Sequence, residues 1–132
     1  MWHKLLLLAT LSISACDGGV SVRARVLEHN GAPISGAIAR VHTPGGYRLP
    51  AVLSDDRGCL DYGQVMAWGR YPVPFTVDKA GFDTFVGTVM TIDHNFLIVT
   101  LSPNNSGPPS TARVVSEAEM PCERDSGRQS LP

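Results

Sequence analysis

His29-Asn30-Gly31-Ala32-Pro33-Ile34-Ser35-Gly36-Ala37-Ile38-Ala39-Arg40-Val41 decides the fold, because a tight turn here passes directly into a strand. Asn30-Gly31 tolerates positive φ, Pro33 fixes its own φ and removes a donor, and Gly36 frees the backbone again. Val20, Val22, Ala24 and Val26 alternate before the turn, and Ala37, Ala39 and Val41 after it. This is the period-two pattern of half-buried antiparallel strands. Two strands joined this way are not stable alone, so the remaining chain has to supply more.

It does so at short, regular intervals. Residues 18–28 and 37–42 are the first two strands, and the small inward residues of the second suggest two sheets packed closely. A short strand over 48–54 leads to the turn Ser54-Asp55-Asp56-Arg57-Gly58, whose aspartates can bond their own backbone. Strands over 59–62, 71–78, 83–90 and 96–101 follow, the last with Leu97, Val99 and Leu101 inward. Pro72 and Pro74 in one strand point to a sheet edge, where missing donors are harmless. The stretch 63–70 fits a bend or one helical turn, and its composition does not decide. Seven short strands result, with no amphipathic helix after the leader, so βαβ nucleotide-binding logic has nothing to build on.

At 132 residues, 43% hydrophobic and 17% charged, the chain suits one compact domain rather than a disordered segment. Its beginning differs from the rest. Lys4 precedes an apolar run from Leu5 to Leu11 and small or apolar residues to Ala15, the pattern of a secretion signal. That run is far shorter than the roughly 20 residues of a membrane-spanning helix. Ile13-Ser14-Ala15-Cys16 resembles the lipobox of bacterial lipoproteins, which implies that Cys16 becomes the lipid-modified first residue of the mature protein. An ordinary cleavage site needs a small residue where Ile13 stands. Several acyl chains, palmitate among them, would anchor the domain stably in the bacterial cell envelope. It would face outside the cytoplasm, in the periplasm or at the cell surface. Asp17 leaves inner and outer membrane both open.

Without Lys4 the mature chain has ten basic and twelve acidic residues, scattered rather than clustered, so nucleic acid is not an expected partner. With Cys16 lipidated, Cys59 and Cys122 remain as an even pair in an oxidising compartment. A Cys59–Cys122 disulfide is the simplest outcome, two free thiols the other.

The strands and turns together carry a family resemblance. The segments 22–26, Gly31 to Val41 (G-A-P-I-S-G-A-I-A-R-V), Ser54 to Gly58 (S-D-D-R-G), Phe75 to Phe82 (F-T-V-D-K-A-G-F) and Val99-Thr100-Leu101 look like the carboxypeptidase regulatory-like domain. That resemblance implies an all-β, about seven-stranded antiparallel Greek-key β-sandwich of transthyretin-like type over 19–102. It also implies an accessory role, without catalysis of its own. The chain thus divides into a signal peptide at 1–15, a lipidated tether at 16–18, the sandwich, and a Pro-, Ser- and Gly-rich tail at 103–132. The tail is expected to be mostly irregular apart from wherever Cys122 is tied down, with at most a helical turn over 113–120.

Candidate sites are few. His29, His42 and His94 lie on separate turns and strand ends, with no HxH, HxxxH or CxxC spacing, and Asp55-Asp56 reads as turn chemistry, so neither metal nor cofactor is expected. The nucleophile candidates Ser54 and Cys59 have no base motif beside them. Transthyretin-like hydrolases of purine degradation carry a C-terminal tyrosine-arginine-glycine-serine signature, whereas this chain ends Arg128-Gln129-Ser130-Leu131-Pro132. The tyrosine and histidine iron ligands of intradiol dioxygenases lack a matching spacing here. The expectation is a non-enzymatic accessory, structural or protein-interaction module, whose partner beyond the membrane is another envelope protein or a glycan. The candidate binding surface is Tyr47, Trp68 and Tyr71. Their rings can stack on sugars, which makes a carbohydrate-binding module the alternative, or can close one end of the core.

Overall fold

The computed structural model describes residues 19–43, 45, 49–65 and 69–123. The expected signal peptide and Cys16 therefore lie outside the described residues, as do Tyr47 and Trp68. Among the described residues, eight strands form two four-stranded sheets: β1 Gly19–Glu28, β2 Ile38–Val41, β3 Val52–Leu53, β4 Cys59–Val65, β5 Pro72–Asp78, β6 Phe85–Met90, β7 His94–Leu101 and β8 Thr111–Val114. One sheet has the order β4-β1-β7-β8 and the other β3-β2-β5-β6. The fold is the expected all-β sandwich, and the opening turn carries the chain from one sheet to the other.

That turn is built as its residues dictate. Asn30 Oδ1 accepts from the Ala32 N–H at 2.9 Å, and Gly31 sits at φ 87°, where a side chain would be strained. The Ile34 N–H then donates to Val26 O at 2.9 Å, so the returning chain is bonded to β1 before it crosses. The next turn packs directly against this corner. Gly58 has φ 78°, and a Cβ there would stand 2.4 Å from Val26 O, so only glycine fits.

Each connection leaves and returns at the same end of the sandwich, so odd-numbered strands all run one way and even-numbered strands the other. Neighbours of opposite parity are antiparallel. β1 and β7 are both odd and adjacent, so their ladder from Ser21–His94 to Glu28–Leu101 is parallel, a departure from the purely antiparallel expectation. The inward faces of both sheets meet in one core, with Val22, Ala24, Val26, Tyr62, Val73, Phe75, Val77, Val99 and Leu101 fully enclosed. Ala37 and Ala39 are also fully buried, which lets the sheets approach closely.

The strand containing Pro72 and Pro74 is not at an edge, which corrects the expectation. β5 lies between β2 and β6. The His42 N–H donates to Pro74 O at 2.9 Å, which shows that the Pro74 nitrogen faces β2 as well. The Pro72 nitrogen, two residues earlier, faces the same side by strand alternation. β2 ends at Val41, so both missing donors fall at or beyond its end and interrupt little of the ladder.

The tail is more ordered than its composition suggests. β8 pairs with β7 from Leu97–Val114 to Thr100–Thr111, and a 3-10 turn, Glu117–Glu119, follows with Ser116 as its cap. Val115, Met120 and Cys122 then lie over the outer face of the β1-containing sheet, against Cys59, Phe96 and Ile98, as a second small core. Cys59 and Cys122 are joined in a disulfide with Cα atoms 5.7 Å apart.

Candidate functional site

The sandwich has two ends, and they differ in how they are built. One gathers the start of β1, the loop after β2, the β4–β5 loop and the β6–β7 turn. Thr91, fully buried, is its pin: its hydroxyl donates to Gly69 O at 2.7 Å and accepts from the Tyr71 N–H at 2.9 Å, and its own N–H donates to Tyr71 O. The neighbouring Ile92 N–H donates to Gly19 O at 2.7 Å, binding the turn to the first residue of β1. Asn95 joins the same corner through Nδ2 donors to Ser21 O and Met90 O. Arg70 and Asp93 cross the surface in a bidentate pair, Nε to Oδ1 at 3.2 Å and Nη2 to Oδ2 at 2.9 Å. The guanidinium holds the Asp93 carboxyl below its usual range, yet both groups are solvated and the pair adds little stability.

Of the three candidate binding aromatics, Tyr71 is half-buried and packs against the main core, so at least part of its ring closes this end of the sandwich. Tyr47 and Trp68, the other two, lie outside the described residues.

The opposite end holds the three recognisable turns and a polar cluster that sequence reasoning missed. His29 Nε2 lies 2.7 Å from Ser102 Oγ, whose hydroxyl faces Pro109 O at 3.1 Å. Ser110 Oγ donates to Asp83 O at 2.6 Å and accepts from the Ser102 N–H at 2.9 Å. The five residues, His29, Asp83, Ser102, Pro109 and Ser110, come from separate parts of the chain, so no spacing betrays the cluster. Ser102 is fully enclosed and its hydroxyl is engaged, so the cluster acts as a clamp on the 102–110 loop rather than as an accessible nucleophile.

The nucleophile candidates are likewise occupied. Ser54 Oγ donates to Ile34 O at 2.7 Å and accepts from the Ala37 N–H at 2.9 Å, tying the 54–58 turn to the crossing, while Cys59 is in the disulfide. Asp55 Oδ1 accepts from the N–H groups of Arg57 and Cys59, the local bonding expected of a turn aspartate. His42 meets Thr76 Oγ1 at 2.9 Å, and His94 stacks on Phe96, on separate parts of the molecule. Among the described residues no three metal-ligating side chains come together, and no helix is long and apolar enough to cross a membrane.

On the outer face of the β1-containing sheet, the Arg23 guanidinium carbon lies 5.4 Å from the Phe96 ring centroid. Its Nε is buried with no hydrogen-bond partner among the described residues, and the ring face provides electrostatic compensation. The disulfide-held strap lies beside this pair and covers Phe96 and Ile98.

No family model matches the chain, and no curated protein matches it in sequence. Solved structures do. The chain is similar to 5-hydroxyisourate hydrolase of Klebsiella pneumoniae, with a TM-score of 0.55 and 13% identity over 74% of this chain and 100% of that one. It also matches 3-chlorocatechol 1,2-dioxygenase of Rhodococcus opacus 1CP, with a TM-score of 0.47 and 11% identity over 65% of this chain. The chain spans about 60% of the dioxygenase's length. At these identities the likeness concerns the fold alone, and together with the two-sheet topology it makes this a transthyretin-like β-sandwich.

Proposed function

We propose that the chain is a lipid-anchored β-sandwich of the bacterial envelope, non-catalytic, acting outside the cytoplasm as an accessory or protein-interaction module. The observation that carries this reading is the pairing of cysteines. With Cys59 and Cys122 joined, Cys16 is left over, and it stands where the lipobox pattern puts the lipid-modified residue. A bridge of this kind also belongs to an oxidising compartment, in agreement with export. The strap that it holds gives the domain a covered outer sheet face, as suits a module that has to persist without cytoplasmic maintenance. Metabolic labelling with palmitate tests the anchor: wild type is expected to incorporate label and Cys16→Ala to incorporate none. Equal labelling of both removes the anchor. Cross-linking in intact cells then identifies the neighbour, and recovery of free chain alone argues against an interaction role.

A further inference from the structure

We infer that the end of the sandwich formed by Gly19, Val65, Arg70 and Ile92 lies on the bilayer, as a lipid-contacting surface. This rests on the anchor reading above and adds an orientation to it. Cys16 is three residues before Gly19, and three extended residues span at most about 10 Å. Gly19 is not free to move away from its end of the domain: it pairs with Val65 and accepts the Ile92 N–H at 2.7 Å. A lipid on Cys16 therefore holds this end at headgroup level. The opposite end stands about 30 Å further out, the rise of the ten-residue β1.

Two side chains at this end are suited to such a place. Val65, at the last position of β4, is 79% exposed, and Ile92, at the tip of the β6–β7 turn, is 47% exposed. Ile92 also has φ 73°. A β-branched residue in the left-handed region is strained, whereas glycine or asparagine would adopt it readily. Ile92 thus combines unfavourable backbone with an apolar side chain directed to solvent, next to the residue nearest the anchor. Acyl chains and the headgroup boundary would remove that apolar surface from water. Arg70, beside it, can reach lipid phosphates with its guanidinium while Asp93 neutralises the local charge, so contact does not require an anionic membrane. The geometry also reverses the sense of the fold: the three well-formed turns around 29–36, 54–58 and 79–82 face away from the membrane and are the end available to a partner.

Depth-dependent quenching tests this with the full lipid-modified chain. The protein is reconstituted into vesicles of phosphatidylethanolamine and phosphatidylglycerol with brominated acyl chains, in a Trp68→Phe background. A single tryptophan is introduced as Ile92→Trp, Val65→Trp or, as a control on β6, Val86→Trp; Val65→Trp serves as a second reporter free of the positive-φ strain. Flotation of the same samples reports anchoring separately. The expected result is that all three float, that Ile92→Trp and Val65→Trp lose most of their emission relative to unbrominated vesicles, and that Val86→Trp keeps its own. Flotation with unquenched tryptophan at both 65 and 92 overturns the orientation while leaving the anchor intact. Failure to float overturns the anchor and the orientation with it. Unquenched tryptophan at 65 and 92, together with polysaccharide binding by the protein that keeps Trp68 and loss of that binding in Trp68→Ala, assigns this end to glycan binding and refutes the lipid contact.

Discussion

Opening the Cys59–Cys122 bridge is the perturbation with the largest calculable consequence. The two cysteines are separated by 63 positions, so the bridge closes a loop comprising β4 to β8 and the 3-10 turn. In the chain-entropy model, removing that closure restores freedom to the unfolded chain worth about 4 kcal/mol at 25 °C. For a domain of this size that corresponds to a fall in Tm of about 15–30 °C. The native state loses something as well, because the strap is no longer tied down and Val115 and Met120 can leave Phe96 and Ile98 uncovered. Urea denaturation of oxidised wild type against Cys59→Ala, Cys122→Ala and the double variant measures the effect. Each single variant is expected to lose nearly as much as the double, since either breaks the same bond. Hydrogen exchange should show the Val115 amide, which donates to Phe96 O at 3.0 Å, becoming exposed before the β1 and β7 amides. A loss below about 1 kcal/mol, or single losses that sum to the double, would refute the account of a loop-closing staple.

Gly58→Ala combines positive φ with a Cβ placed 2.4 Å from Val26 O, and is expected to cost about 3 kcal/mol in thermal denaturation; a wild-type melt would mean that the 54–58 turn yields easily. Tyr62→Phe removes a fully enclosed hydroxyl that makes no well-formed hydrogen bond among the described residues, the Val41 backbone interacting with it only weakly, keeps the edge-to-face contact with Phe75, and is expected to raise stability by about 1 kcal/mol; a loss of that size would show that the Val41 contact is a full hydrogen bond. Burial pushes the Tyr62 pKa above its ordinary 10.0, against smaller opposing effects of the Val41 backbone and the Arg40 charge. The folded state therefore holds this proton more tightly, so its contribution is complete below pH 10.0 and is lost as pH climbs through the raised value. Urea titrations on the alkaline side should show a shallower decline for Tyr62→Phe than for wild type, and identical slopes would discount the burial.

What the sequence by itself determined is the set of local choices. Alternation placed Val20, Val22, Ala24 and Val26 inward because successive side chains of a strand point to opposite faces, and the turns at 29–36 and 54–58 follow from residues that tolerate left-handed backbone or bond to themselves. The disulfide partners were legible only once Cys16 was set aside on the lipobox resemblance, which leaves Cys59 and Cys122 as an even pair. Tertiary structure decided everything that depends on which strands become neighbours. Pro72 and Pro74 read as edge residues because a sequence does not reveal which side of a strand its N–H groups face, nor that β2 would stop at Val41. Thr111 to Val114 has too short a pattern to signal a strand, and becomes one only through the free edge of β7. The His29–Ser102 clamp and the convergence of Gly19 with Ile92 are equally non-local, contacts between residues 73 positions apart in each case, and the second of them relocates the question of function. Tyr71 stands at the end of the sandwich where Gly19 begins β1, and its backbone bonds to Thr91, next to the Ile92 that donates to Gly19, so the position of β1 in the sheet, rather than any local pattern, decides what Tyr71 stands near.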